Sequence, residues 1–100
     1  MTRAKTIRVR ADFNGLFGEF LCLSHKETCD DAEGNPIVLH EGMVLSAFEE
    51  DWDESGKRDD LVASGVVERS PRSLRCLGSR WVLRIDLNGV RHESELATKA

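Results

Sequence analysis

The sequence predicts an all-β domain, folded as a small barrel or a barrel-like antiparallel sheet of about six strands. Two observations lead to this prediction. Turn-forming residues recur at short intervals along the chain, and no window shows the sustained apolar spacing of an amphipathic helix. Because several short strands must hide their edges, closure of the sheet on itself is the simplest arrangement.

The individual strands follow from side-chain alternation and from turn residues. Residues 7–13 alternate between apolar and polar side chains, which is the pattern of a half-buried strand. Residues 19–24 are apolar on both faces and are expected in the centre of the sheet. Further strands are expected at 37–40, 43–48 and 61–68, because segments rich in turn formers separate these apolar stretches.

The clearest local signal lies near the C-terminus, at residues 80–96. Asn88 and Gly89 separate two alternating segments, and this dipeptide favours a type I′ turn between paired strands. The sequence therefore predicts a C-terminal hairpin. Its register would place opposite charges across from each other: Asp86 with Arg91, and Arg84 with Glu93.

The order of these elements resembles that of SH3-like barrels. A short strand is followed by a long polar loop at 49–60, by a returning strand and by a final hairpin. The resemblance is one of pattern and implies a fold without a function, because such barrels serve many functions. The chain has 100 residues and no linker or internal repeat, so a single domain over residues 1–100 is expected.

Composition and charge restrict the function classes. The chain is 40% hydrophobic and 32% charged, which is typical of a globular domain. A net charge of −4 and a pI of 5.3 argue against a nucleic-acid partner. No apolar stretch approaches the roughly 20 residues of a membrane span, and the basic N-terminus lacks the apolar region of a secretory signal. The three cysteines form an odd, sparse set, so free thiols and a cytoplasmic location are expected.

The acidic segment 49–60 partly fits a calcium loop. Its favoured interpretation is a solvated, protruding loop, because Val62 stands where such a loop needs a bidentate carboxylate. A divalent-cation site of the calcium type is kept as the alternative. Four oxygen-bearing residues take the first, third, fifth and ninth positions of that loop: Asp51, Asp53, Ser55 and Asp59.

A second cluster, formed by Cys22, His25 and Cys29, supplies soft ligands of the kind that zinc accepts. The favoured interpretation is structural: Cys22 lies in an apolar segment, where a free cysteine is expected to be buried as a small hydrophobe. A small thiol- or zinc-dependent protein is kept as a further alternative. Three other residues offer a fourth ligand: His40, Cys76 and His92.

A basic segment lies between the predicted strand 61–68 and the predicted C-terminal hairpin. Arginine binds carboxylate and phosphate in a bidentate manner, so these arginines are the candidate ligand- or partner-binding residues. Trp81 follows them but belongs to the apolar face of its strand, so a core position is expected. The favoured interpretation is that the arginines oppose the acidic segment, within the chain or across a dimer. The four are Arg69, Arg72, Arg75 and Arg80.

Catalysis finds little support in the sequence. The three histidines lie in unrelated contexts, and no nucleophile elbow, P-loop or dinucleotide-binding glycine pattern occurs. No catalytic residue and no cofactor are predicted. The chain is therefore expected to be a non-enzymatic binding or interaction module, with a protein partner or self-association through the acidic and arginine segments.

Overall fold

A computed structural model describes residues 6–72 and 78–97, and this part of the chain is mostly β, as predicted. A short 3₁₀ turn occupies Phe13–Gly15. The remaining elements, in chain order, are β1 (Ile7–Arg10), β2 (Leu16–Phe17), β3 (Phe20–Ser24), β4 (Thr28–Asp30), β5 (Pro36–Val38), β6 (Val44–Glu49), β7 (Leu61–Arg69), β8 (Trp81–Ile85), β9 (Arg91–His92) and α1 (Glu93–Ala97).

Seven of these strands form one open sheet, in the order β1-β6-β7-β8-β3-β2, with β9 beside β7. β4 and β5 form a separate two-stranded sheet. The predicted closed barrel is wrong, and the large sheet is mixed, since β1 runs parallel to β6. The chain between β1 and β6 contains four strands, which is enough length for the crossover that a parallel pair requires. The SH3-like arrangement stays a prediction.

The edges of the sheet are protected without closure. On the β1 edge, Val9 forms a bridge with Asp31, and the Ala32 N–H donates to the Arg8 carbonyl at 2.9 Å. At the other edge, β2 has only two residues, so it offers a short template to another strand. A covering segment and a short strand therefore protect the edges that a barrel would have removed.

The predicted C-terminal hairpin is wrong. β8 and β9 both pair antiparallel with β7, so they run in the same direction beside the same neighbour. A turn does form between them: the Gly89 N–H donates to the Asp86 carbonyl at 3.1 Å, and the Asp86 carboxylate accepts from the Asn88 N–H at 3.0 Å. Gly89 has a φ of 67° but Asn88 has no positive φ. The Asp86 side chain stabilises a different turn from type I′, and the chain continues along β7.

The charges of the predicted hairpin are paired elsewhere. Arg84 donates to Glu68 at 2.7 Å and to Glu19 at 2.8 Å. Arg8, on β1, donates to Glu93 at 3.1 Å. These charges are not paired across a hairpin, because β9 lies beside the N-terminal end of β7 instead of against β8.

The core lies on one face of the large sheet. Trp81 is only 3% exposed, which confirms its expected core position. The buried cluster contains Val9, Leu21, Cys29, Leu39, Leu45, Ala47, Ala63, Val67, Trp81, Leu83 and Ile85. Within the described ranges, no helix has the length and apolar character that crossing a membrane demands.

Candidate functional site

The acidic segment forms an ordered hairpin of its own, here called the acidic hairpin (residues 50–60). Trp52 forms a bridge with Arg58. The Asp53 N–H donates to the Lys57 carbonyl at 2.8 Å, and the Gly56 N–H donates back to the Asp53 carbonyl at 3.0 Å. The expected long polar loop is thus present between β6 and β7, but its backbone is held by internal hydrogen bonds.

The predicted calcium residues are engaged with different partners. The Asp53 carboxylate accepts from the Ser55 N–H at 2.9 Å and from the Ser55 hydroxyl at 2.8 Å. The Asp59 carboxylate accepts from the Ser94 N–H at 2.8 Å, and Asp51 lies 3.1 Å from the His92 ring. Among the residues that the structure describes, no group of three or more His, Cys, Asp or Glu side chains is arranged to hold a metal ion. The calcium site stays a prediction.

Two arginines of β1 lie against the acidic hairpin. Arg10 pairs with Glu50 at 3.3 Å, and Arg8 lies 3.5 Å from the buried carboxylate of Asp60. Arg58 donates to Asp60 at 2.8 Å, and this hydrogen bond holds the pKa of Asp60 below its usual value. The parallel pairing of β1 with β6 produces this arrangement. Because side chains alternate along a strand, Arg8 and Arg10 lie on the same face of β1.

An exposed tryptophan lies on the acidic hairpin. Trp52 has 55% of its surface exposed, and backbone pairs on both of its sides fix its position. It forms one wall of a shallow, open depression of about 540 Å³, here called the tryptophan groove. The residues lining the groove are Arg10, Ala11, Asp12, Leu23, Phe48, Glu49, Glu50 and Trp52.

Trp52 was not predicted as a site residue, because the carboxylates around it suggested a metal site instead. The available signal was that this residue is the single aromatic side chain in the polar segment 49–60. A large apolar side chain in a segment with no place in the core must lie on the surface. Tryptophan on a surface is a frequent anchor of protein interfaces.

The structure brings together two of the predicted arginines. Arg69 and Arg80 line one depression of about 400 Å³ together with Gly78 and Ser79, here called the arginine depression. Arg69 lies over the Trp81 ring, 4.5 Å from its centroid. Arg72 is exposed and outside the residues that line this depression, and Arg75 lies outside the described residues.

The carboxylate that Arg80 meets is Glu27, and not a residue of the acidic hairpin. Arg80 donates to Glu27 at 3.1 Å, and the Trp81 indole N–H donates to the same carboxylate at 3.2 Å. These hydrogen bonds, with that from Arg80 the stronger, lower the pKa of Glu27. The expected pairing of the arginine segment with the acidic segment is therefore not made by Arg80 within the chain.

The cysteine–histidine cluster is spread over two sheets. Cys22 is only half-buried in β3, so its expected full burial is wrong, whereas Cys29 in β4 is buried. Burial raises the pKa of the Cys29 thiol to about 11. The His25 Nδ1 lies 2.6 Å from the Gly78 carbonyl oxygen. Cys76 lies outside the described residues, and the zinc alternative stays a prediction.

Comparisons of this chain with protein-family models, with curated proteins and with solved structures found no match. Its function is therefore proposed from geometry and charge. Two surfaces stand out: the tryptophan groove, beside the acidic hairpin, and the arginine depression, beside the loop that precedes β8. They differ in the sign of their charge and in whether their tryptophan is exposed.

Proposed function

We propose that this domain is a non-enzymatic, cytoplasmic protein-interaction module that contacts its partner through the tryptophan groove. The observation that carries the proposal is the 55% exposure of Trp52 on a backbone that internal hydrogen bonds hold in place. Leaving an indole in water is unfavourable, since apolar surface contributes roughly 25 cal/mol per Å² when it is buried. A partner that covers Trp52 recovers that free energy.

The fixed position of Trp52 supports binding further. The Asp59 N–H donates to the Asp51 carbonyl at 2.8 Å, next to the bridge between Trp52 and Arg58. A side chain presented on an ordered hairpin loses little conformational freedom when a partner covers it, so more of the contact energy appears as affinity. Leu23 and Ala11, both half-buried, extend the apolar floor of the groove beside it.

Selection from a random peptide display library tests this function. The wild-type domain is expected to enrich peptides whose binding is lost in Trp52→Ala. The matched control is Leu87→Ala, since Leu87 is another exposed apolar side chain but does not line the groove. Enriched peptides that bind Trp52→Ala as well as wild type, or no enrichment at all, would contradict the proposal.

Self-association is the alternative that the opposite charges of the two surfaces favour. In it, the acidic hairpin of one copy would occupy the arginine depression of the next. Sedimentation equilibrium of the wild type and of Arg69→Gln plus Arg80→Gln distinguishes the two functions. A salt-sensitive dimer that is absent in this double variant would support self-association. A wild-type monomer at all salt concentrations would favour a partner other than a second copy.

A further inference from the structure

The charge at the tryptophan groove is negative. Three carboxylates line it, those of Asp12, Glu49 and Glu50, and Glu50 is paired with Arg10 at 3.3 Å and with Arg58 at 3.4 Å. Of these, Asp12 is exposed, and the Asn14 N–H is the donor to its carboxylate. A partner surface that covers Trp52 must therefore lie next to Asp12 and Glu49, whose carboxylates accept from backbone N–H groups at 2.9 and 2.7 Å, and an acidic partner would be repelled.

The chain itself shows which group suits this surface. Arg8 and Arg10 both stack over the Phe48 ring, with their guanidinium carbons 4.7 and 5.0 Å from its centroid. Arg10 also pairs with Glu50 at 3.3 Å. A guanidinium is thus stabilised here by an aromatic face and a carboxylate together. Trp52 offers a second and more exposed aromatic face, and indole is the strongest of the aromatic side chains for cations.

We propose that the tryptophan groove binds an extended, arginine-bearing segment of a partner protein. This inference rests on the proposed function and adds the chemical class of the partner. One partner arginine stacks on the Trp52 indole, with its charge next to Asp12 and Glu49. Arginine fits better than lysine, because its planar guanidinium stacks on a ring and pairs with a carboxylate at the same time.

Fluorescence anisotropy with labelled peptides tests the inference directly. The probe is a fluorescein-labelled peptide of three Arg-Ser-Gly repeats, compared with Lys-Ser-Gly and Glu-Ser-Gly peptides of the same length. The arginine peptide is expected to bind tightest, the lysine peptide several-fold more weakly, and the glutamate peptide not measurably. The Trp52→Ala variant should weaken binding of the arginine peptide by about tenfold or more, as expected for an interface anchor.

A pair of charge variants separates a local contact from a general effect of net charge. Glu49→Gln removes a groove charge and retains an oxygen that can accept from the Phe13 N–H, as Glu49 does at 2.7 Å. Glu54→Gln removes the same charge from the acidic hairpin but outside the groove lining. We expect Glu49→Gln to weaken binding by about threefold and Glu54→Gln to leave it nearly unchanged at physiological salt, where screening limits distant charges.

The results separate the inference from the function on which it rests. Equal affinity for arginine and glutamate peptides, equal effects of Glu49→Gln and Glu54→Gln, or full affinity in Trp52→Ala would overturn the inference. If the display selection nevertheless yields binders that depend on Trp52 but lack basic residues, the proposed function stands and only the partner class is wrong. If the selection yields none that depends on Trp52, both fail.

Discussion

Replacement of Gly65 by alanine should destabilise the fold more than other glycine substitutions, because the new methyl group would meet backbone. Gly65 lies on β7 opposite Ile85 of β8. A Cβ at this position would lie 2.0 Å from the Arg84 carbonyl oxygen and 2.7 Å from its carbonyl carbon. Ordinary van der Waals contact begins at 3.4 Å, and the Cβ would lie 2.0 Å from the carbonyl oxygen. The oxygen must therefore move away by 1.4 Å, the difference between these two distances.

The cost follows from what that retreat disturbs. β7 lies between β6 and β8, so neither strand can move without loss of ladder hydrogen bonds. Overpacking costs about 1–3 kcal/mol, and each lost hydrogen bond adds about 1 kcal/mol. We therefore expect Gly65→Ala to lower the free energy of unfolding by about 3 kcal/mol, which lowers the melting temperature by roughly 12–24 °C for a domain of this size.

Urea denaturation measures this loss, with Gly56→Ala as the control. Gly56 has a φ of 85°, and no atom lies within 4 Å of the point that a Cβ would occupy, so alanine there is strained by its backbone conformation alone. That strain costs roughly 1–2 kcal/mol. If Gly65→Ala unfolds at the same urea concentration as Gly56→Ala or the wild type, the register between β7 and β8 is wrong.

Three further predictions concern pH, calcium and thiols. The hydrogen bond from Arg84 lowers the pKa of Glu68 from 4.5, so the stabilising contribution of this pair is complete above pH 4.5 and is lost as the pH falls through the lowered pKa. Urea midpoints measured between neutral and acidic pH check this prediction. An undiminished pH dependence of stability in Glu68→Gln would refute it. Millimolar CaCl2 should raise the melting temperature no more than NaCl of equal ionic strength, because the Asp53 carboxylate is already hydrogen-bonded within its own turn. A calcium-specific rise in melting temperature that the double variant Asp51→Asn plus Asp53→Asn abolishes would establish a calcium site. Cys29 should react slowly with a thiol reagent in the native state, because it is buried and its pKa is raised to about 11. All three thiols should react in denaturant without reductant. Fewer than three reactive thiols would reveal a disulfide.

Local patterns predicted the longer strands and missed the short β2 and β4, and Glu93–Ala97, expected mostly in a strand, form α1. They predicted strand partners poorly. The alternation in residues 7–13 and the apolar residues 19–24 correctly indicated β1 and β3. The parallel pairing of β1 with β6 could not be predicted, because nothing in a strand's own sequence names a partner far along the chain. The turn at Asn88–Gly89 was predicted in the right place but with the wrong type. The hydrogen bond from the Asn88 N–H to the Asp86 carboxylate selects a different turn.

The candidate site was predicted only in part, for the same reason. The acidic segment 49–60 was predicted as a solvated surface loop, but its arginine partners from β1 were not predicted. Arg10 reaches Glu50 only because β1 joins the sheet next to β6. Trp52 became a candidate once the structure showed that its indole lies outside the core.

The attachment of β1 ties the proposed binding surface to a long-range contact of the fold. Ile7 pairs with Leu45, so docking of β1 closes a loop of 38 residues, the difference between these two positions. Closure of such a loop costs conformational entropy, and this cost grows slowly with loop length. Arg10 and Asp12, which line the groove, arrive with this strand. Without docked β1 the groove lacks these two residues, so the proposed partner binding requires the pairing of β1 with β6.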